Sequence, residues 1–383
     1  MSASAEKIRI AYLIDTISSD KAGTEKQMLQ IIANLDRTRF LPTLVCLYGS
    51  PFMAAMAPPC EMVTLGYRGF LHPFFPMVLH RYLGLLRQRR FDLVQTFFED
   101  AMFVGFLGRL FGPGSHRVIV SRRDLGLGAD EPFYHRIFRR LHPMVFRCVD
   151  GLAANAAAIR ERVTAAGVPA GKVRLIRNGM ALPSPPQEKL PIFREHANDV
   201  WVAVVANLKP VKRIDLFLKA FALAASRNPQ LRLGAVVLGE GRLRGELEKL
   251  ASDLGLDGRV QFAGAVDNVT DYLYHCDVGV LCSDSEGLSN ALLEYMGCAL
   301  PVVVTAVGGN TELVDGDNGF VIPAGDAEAL CGALCRLFAD PGLRRRMGAA
   351  SLERVRAVTG WEAVMGQWEE YYLETARAGG EHA

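Results

Sequence analysis

Two glutamates, Glu286 and Glu294, stand eight positions apart in the run Cys282-Ser-Asp-Ser-Glu-Gly-Leu-Ser-Asn-Ala-Leu-Leu-Glu-Tyr-Met-Gly-Cys298. Gly287 and two helix-capping types, Ser289 and Asn290, lie between them. A carboxylate accepts hydrogen bonds from adjacent hydroxyls, and the unpaired N–H groups of a helix opening near Ser289 suit a phosphate. On a continuous helix, eight residues place the carboxylates roughly 80° apart in heading and about 12 Å apart along the axis. One carboxylate then reaches a group beyond the phosphate and the other a group behind it. A nucleotide sugar carries hydroxyls at both places. Two glutamates at this spacing are common by chance; the flanking sequence makes the segment specific.

An apolar run, Val278-Gly-Val-Leu281, precedes the segment, and Leu300-Pro-Val-Val-Val304 follows it, with Gly297 closing the helix. That order reads as strand, loop, helix, strand, the parallel α/β unit in which ligands sit beyond the carboxyl ends of the strands. The same alternation runs through the chain. In the first half the pattern predicts strands at 8–14, 41–48, 61–66, 92–97, 117–122, 151–155 and 173–177. Helices are predicted at 24–36, 76–90, 99–111, 133–147 and 156–166. The second half predicts strands near 200–206, 231–238, 260–263, 278–282, 301–304 and 319–322. Its helices fall near 213–226, 242–254, 289–298, 326–338 and 341–357. A last helix, 361–377, carries Trp361, Val364, Met365, Trp368, Tyr371 and Tyr372 at helical spacing, too many aromatics for a free surface. At 383 residues the chain suits two domains. The expected plan is α/β: two Rossmann-like doubly wound domains facing across a cleft, 1–180 and 200–360, joined by a proline-rich linker at 181–199.

Half of the residues are hydrophobic and 22% are charged, the composition of a globular protein. Net charge is +2, but residues 1–190 hold 25 Lys/Arg against 15 Asp/Glu, and residues 191–383 hold 18 against 26. The first half is therefore the candidate for an anionic partner, lipid head groups or a phosphorylated acceptor, against the alternative that the surface composition differs by chance. Nucleic acid is not expected, because the overall charge is small and no binding module is present. The eight cysteines are scattered, without Cys-x-x-Cys, and no histidine pair has metal spacing. No leader segment is read before the first strand, so a reduced cytoplasmic compartment is expected. Residues 40–67 carry one charge, Glu61, but Pro42, Pro51, Pro58 and Pro59 and the turn Gly49-Ser50 break the stretch. We read strands and loops there, not a membrane span. The stretches 76–90 and 133–147 mix apolar residues with Arg81, Arg87, Arg89, Arg90, Arg136, Arg139, Arg140 and Arg147. We read 133–147 as a helix with a solvated basic face, and 76–90 as a surface resting on anionic lipid at the inner face of the cytoplasmic membrane.

The Glu-x7-Glu segment resembles the signature of the retaining GT-B glycosyltransferases of family 4, the glycosyl transferases group 1. The resemblance covers nearly all of the second half. It includes Ala206-Asn-Leu-Lys-Pro-Val-Lys212, Leu238-Gly-Glu-Gly241, Val260-Gln-Phe-Ala-Gly264, Val266-Asp-Asn268 and Gly308-Gly-Asn-Thr-Glu312. In the first half it rests mostly on Ala22-Gly23-Thr24-Glu25. The resemblance implies that Glu286 holds hydroxyls of the donor sugar and Glu294 the nucleotide ribose. It implies diphosphate on the backbone amides of Ser289, Asn290 and Ala291, with Lys212 neutralising the departing phosphate. The backbone at Val266 would meet the base, Gly239 would belong to the donor-binding set, and Gly23 would let its loop approach the diphosphate from the other domain. The final helix would pack back on the first domain.

The chain departs from the family pattern in two places. Many members carry an arginine where this chain has Asn207; Lys209 is the candidate second cation, and a lysine cannot fork across two oxygens. Many members place a histidine near the transferred sugar where this chain has Arg123, followed by Asp124. Arginine cannot act as a base, but it could bind an anionic acceptor or a sugar carboxylate. The alternative is an Arg123–Asp124 pair that fixes a loop. Lys209, Lys212 and Arg213 likewise have the alternative of a solvated basic turn. His72, His80, His135 and His142 are assigned no chemistry. The expected reaction is metal-independent, retaining transfer of a hexose-type sugar from a nucleoside diphosphate sugar, which is a substrate rather than a cofactor. The acceptor would be a glycan, a lipid-linked compound or a small molecule, in cell-surface polysaccharide or glycolipid synthesis. The rivals are a nucleotide-sugar epimerase of the same fold, which would need acid/base residues that the first half offers few carboxylates to supply, and an inactive sugar-nucleotide-binding protein.

Overall fold

A computed structural model describes residues 6–19, 23–114, 116–123, 133–194 and 200–377, with the backbone alone at Phe133, Tyr134 and 136–139. The chain divides into two units. One takes the described residues to Arg123, those from Phe133 to Gly179, and the end of the chain from Glu362; the other takes Met180–Trp361.

In the first unit the chain alternates β1 (Ile8–Ile14), α1 (Gly23–Asn34), β2 (Phe40–Cys46), α2 (Pro51–Ala55), β3 (Glu61–Thr64), α3 (Phe75–Arg89) and β4 (Leu93–Phe97). It continues with α4 (Glu99–Phe111), β5 (Arg117–Arg122), α5 (Phe133–Cys148), β6 (Gly151–Ala154), α6 (Ala157–Ala165) and β7 (Val173–Leu175). The strands form one parallel sheet in the order β3-β2-β1-β4-β5-β6-β7. A strand covered on both faces must be apolar throughout, and Ile10 to Ile14 of β1 are wholly buried. Successive residues face opposite layers. Leu13 and Thr96 point at Gly105 of α4, where an added Cβ would lie 2.5 Å from Thr96 Cγ2.

Tyr12 and Gln95 point the other way, to the last helix. The Tyr372 hydroxyl donates to Gln95 Oε1 at 2.5 Å and receives a bond from Tyr12 at 3.2 Å, and Gln95 Nε2 donates to Ser121 Oγ at 2.7 Å. That helix, α15 (Trp361–Arg377), also buries Trp368 and Val364. Its aromatics are thus core residues of the first unit. Each fully buried large apolar side chain contributes about 1.5–3 kcal/mol, and Trp368→Ala would cost about 3–5 kcal/mol.

The second unit begins with α7 (Pro191–Arg194), β8 (Val200–Val205), α8 (Ile214–Arg227), β9 (Leu233–Leu238), α9 (Arg244–Asp253), β10 (Val260–Gly264) and α10 (Val269–Leu273). It continues with β11 (Val278–Leu281), α11 (Asn290–Gly297), β12 (Val302–Thr305), α12 (Asn310–Leu313), β13 (Gly319–Ile322), α13 (Ala327–Ala339) and α14 (Pro341–Thr359). Its parallel sheet has the order β10-β9-β8-β11-β12-β13. In each sheet the order reverses beside one strand, β1 in the first and β8 in the second. Doubly wound sheets leave a ligand crevice at that reversal, past the carboxyl ends of the two central strands.

Two local readings change. The stretch 181–199 is not a bare linker: α7 lies in it, and Phe193 is buried against the Trp201 ring at 4.9 Å between centroids. One apolar anchor among prolines is enough to fix the segment to a domain. The stretch 40–67 holds a helix, α2, because the Ser50 hydroxyl accepts from Met53 N–H at 3.1 Å and Pro51 occupies the first turn. Among the described residues no helix is long and apolar enough to cross a membrane.

Candidate functional site

The carboxyl ends of β8 and β11 lie side by side at the reversal of the second sheet. After β8 the chain runs through Asn207 and Lys209, both exposed, into a single tight turn, Pro210–Lys212. Arg213 takes the left-handed conformation at φ 51° and is anchored by Asp215 and Asp284, each at 3.1 Å. That anchor fixes the direction in which Lys212 leaves the turn. The turn is braced from β9: at Gly239 (φ +134°) an added Cβ would stand 2.1 Å from the Ala206 carbonyl oxygen. Glycine is required there by the approach of two chain segments.

After β11, Ser283 and Glu286 are buried. Lys212 Nζ lies 2.5 Å from Glu286 Oε1, and the Ser283 hydroxyl donates to the same oxygen at 2.6 Å. The Thr305 hydroxyl holds the Ser283 carbonyl at 2.6 Å, which ties the loop to β12. Gly309 N–H donates to the Gly287 carbonyl at 2.7 Å, and an added Cβ on Gly308 would lie 1.9 Å from the Glu286 carbonyl oxygen. The loop is therefore clamped on three sides before it enters α11 through Ser289.

Helix α11 runs Asn290–Gly297 with Ser289 as its N-cap, and the Ser289 hydroxyl makes no capping bond. Its first N–H groups and positive dipole end open beside Glu286, an arrangement suited to an anion. Asn290, Ala291 and Glu294 are half-buried. The helical estimate of roughly 80° and about 12 Å between the two glutamates does not apply, because only Glu294 is on the helix and Glu286 precedes it by a four-residue turn. Val266, half-buried, follows the edge strand β10.

The remaining sequence candidates fall in the first unit. Gly23 is exposed and opens α1; Ala22 and Asp124 lie outside the described residues. Arg123, just past β5, donates from Nη1 to Asn178 Oδ1 at 2.7 Å and lies 5.8 Å from the Phe97 ring centroid. Burial pulls its pKa down to about 10, which still leaves a cation at neutral pH.

The sequence reading missed a cluster at the carboxyl ends of β1 and β4. His135 Nε2 stands 2.9 Å from Asp100 Oδ1, and the Tyr67 hydroxyl donates to Asp100 Oδ2 at 2.9 Å. Glu99 is held by His142 and by Arg122, the latter at 3.1 Å. Burial pushes the Asp15 carboxyl up to about 8, with Asp100 beside it adding to the rise. The first half thus places three carboxylates together, contrary to the expectation of few. The legible signal was position: Asp15 directly follows one predicted strand, and the pair Glu99-Asp100 follows another after Phe98, at the reversal of the first sheet. The chain also has one Asp-x-Asp pair, Asp315 and Asp317; Asp315 is engaged by Arg354 at 2.6 Å and by Asp317 N–H at 2.9 Å. Among the described residues, no three His, Cys, Asp or Glu side chains gather as a metal site.

The second unit's residues 199–340 match the family model described as glycosyl transferases group 1, and residues 22–179 match the glycosyl transferase 4-like domain. The chain is 39% identical over 154 residues to the lipopolysaccharide core biosynthesis glycosyltransferase LpsE of Rhizobium meliloti, a match covering 40% of this chain and 42% of the relative. It is 30% identical over 174 residues to the N-acetyl-alpha-D-glucosaminyl L-malate synthase of Bacillus anthracis, covering 45% of each chain. These matches span about half of the curated relatives' length or less. Among solved structures, Anabaena Alr3699/HepE in complex with UDP-glucose superposes with a TM-score of 0.80 at 20% identity, covering 96% of this chain and 100% of the other. The sucrose-phosphate synthase of Thermosynechococcus elongatus superposes with a TM-score of 0.82 at 21% identity, over 97% and 100%. The likeness establishes the GT-B fold.

Proposed function

The chain carries a glycosyl transferase 4-like domain followed by a glycosyl transferases group 1 domain, and from that premise we propose that it is a retaining glycosyltransferase that takes a hexose-type sugar from a nucleoside diphosphate donor. The observation that carries the reading is the buried Glu286, clamped by Ser283 and Lys212 immediately before the N-terminal end of α11. A cation, helix amides and two acidic side chains in one crevice match the charge pattern of a sugar diphosphate. The amides of Ser289, Asn290 and Ala291 take the diphosphate, Glu286 the sugar hydroxyls and Glu294 the ribose. Val266 meets the base through its backbone.

Transfer breaks the bond from the anomeric carbon to the diphosphate oxygen and forms one to the acceptor oxygen on the same face. The acceptor proton leaves with the diphosphate. Negative charge grows on the departing oxygen, where Lys212 and the α11 amides stabilise it electrostatically. Lys212 must exchange Glu286 for phosphate when donor enters. No step uses a metal ion, so transfer should survive a chelator.

The bound UDP-glucose of the HepE neighbour makes a uridine diphosphate sugar the first donor to test. The acceptor is a glycan, a lipid-linked compound or a small molecule; the lipopolysaccharide core relative favours a cell-surface product, and the L-malate synthase relative favours a small molecule. A thermal-shift panel of uridine, guanosine and adenosine diphosphate sugars tests the donor. One class should raise Tm in the wild type, since ligand binding stabilises by mass action. No shift from any of them contradicts the proposal.

A further inference from the structure

The outer surface of one layer of the first unit is poor in acid; the two acids of its middle helix, Glu99 and Asp100, are turned inward onto Arg122, His135 and His142. Helix α4 packs between α3 and α5 on the sheet face away from α15. Residues 62–91, 101–123 and 132–149, which supply this layer and its adjoining turns, contain no Asp, Glu or Lys and 13 Arg. The opposite layer is unlike it: α15 alone carries Glu362, Glu369, Glu370 and Glu374. This arginine-rich surface is also where large apolar side chains stand in water. Leu71 is 70% exposed, Phe74 53%, Leu110 52% and Phe111 59%, and Met77, Leu141 and Met144 are exposed as well. Among the described residues Arg68, Arg87, Arg90, Arg140 and Arg147 pair with no carboxylate. At the end of α3, a cavity of about 320 Å³ is lined by Arg9, Arg87 and Arg90 with Leu86, Phe91, Asp92 and Pro113.

An ordinary solvated basic helix does not expose Leu, Phe and Met between its arginines. A protein partner would be met by scattered charges of both signs. A face whose exposed groups are mostly arginine and large apolar side chains, with Glu61 and Asp92 as the acids at its edge, matches a surface that is anionic outside and apolar beneath. We propose that the outer surfaces of α3 and α5, with the end of α4, form a docking face for an anionic lipid bilayer. Leu71, Phe74, Met77, Leu110 and Phe111 enter the head-group boundary, and the arginine-lined cavity receives a lipid phosphate. The face extends beyond 76–90 to α5, where the sequence suggested only a solvated helix. It does not rest on the glycosyltransferase reading, because vesicle binding needs no turnover.

The test is flotation of the full chain with vesicles of phosphatidylcholine alone and of phosphatidylcholine with phosphatidylglycerol, at low and high salt. Wild type should float with the anionic vesicles at low salt, lose that binding at high salt, and not float with phosphatidylcholine. Arg87→Glu/Arg90→Glu should lose on the order of fivefold in partitioning per arginine, and Leu71→Ser/Phe74→Ser/Met77→Ser should bind anionic vesicles weakly at any salt. Circular dichroism confirms that each variant is folded. Wild type that ignores anionic vesicles, or folded variants that float as well as wild type, overturns the proposal. Two further results overturn it. Self-association in sedimentation that the triple variant abolishes would assign the face to a second copy. A Tm rise from inorganic phosphate without flotation would assign the cavity to soluble anions.

Discussion

Lys212 Nζ and the Ser283 hydroxyl converge on one oxygen of Glu286, at 2.5 Å and 2.6 Å. The carboxylate is thereby oriented before any substrate arrives, and the lysine is held where a leaving phosphate would need it. In the proposed function the two roles, gripping sugar and stabilising diphosphate, share this one buried contact.

Glu286→Gln should keep the volume of the side chain and lose its charge. We expect kcat/KM to fall by about 10²–10³, the scale of losing one transition-state contact, with little change in Tm. Lys212→Ala should fall by a similar factor, and the double variant by much less than the product, because both lose the same unit. Steady-state kinetics with thermal melts checks this; near-normal turnover in either single variant contradicts it.

Ser283 acts through Glu286. Ser283→Ala removes one neutral hydrogen bond, so kcat/KM should drop about tenfold. Ser283→Thr, which keeps the hydroxyl, should restore much of it. If Ser283 only packs, threonine should be no better than alanine.

Gly308→Ala would bring a Cβ to 1.9 Å from the Glu286 carbonyl oxygen at a residue with φ +53°. The loop must shift, so both Tm and donor binding should fall. A variant with wild-type Tm and donor affinity would show that Gly308 does not hold the loop.

How far the sequence carried is visible at this loop. Apolar runs at 278–281 and 300–304 and the capping pair at 289–290 made the strand, turn and helix legible, because period and capping are local properties. The Lys212–Glu286 contact was not legible as a contact. It joins positions 74 residues apart, and it depends on β8 and β11 being neighbours, which the order of strands in the chain does not dictate. The helical estimate for Glu286 and Glu294 failed because a turn, not a helix, carries the first of them. The cluster of Asp15, Glu99, Asp100 and His135 was hidden for a related reason: its members come from three elements, and its histidine lies in a stretch that reads as merely basic and apolar. The clash that makes Gly239 obligatory, against Ala206, is likewise a tertiary fact.

Asp15 gives the pH dependence. Burial raises its folded pKa to about 8 from an ordinary aspartate value of 3.8. A raised pKa means the native state holds a proton that the unfolded chain releases, so stability is lost as pH rises from about 4 through 8. Asp15→Asn keeps an oxygen for the Ala101 N–H, which Asp15 accepts at 2.7 Å, and removes the titration. Its advantage in urea unfolding should be absent near pH 4, grow with pH and level off above 8. A constant difference, or a variant that is weaker at pH 8.5, contradicts the burial argument.

The most direct measurement is a crystal structure of the protein with uridine diphosphate, or with whichever nucleoside diphosphate raises Tm most. The diphosphate oxygens should lie within about 3 Å of the N–H groups of Ser289, Asn290 and Ala291, with Lys212 released from Glu286 toward the phosphate and the ribose on Glu294. A nucleotide bound elsewhere, with Lys212 still on Glu286 and the end of α11 untouched, would contradict the assignment of this crevice.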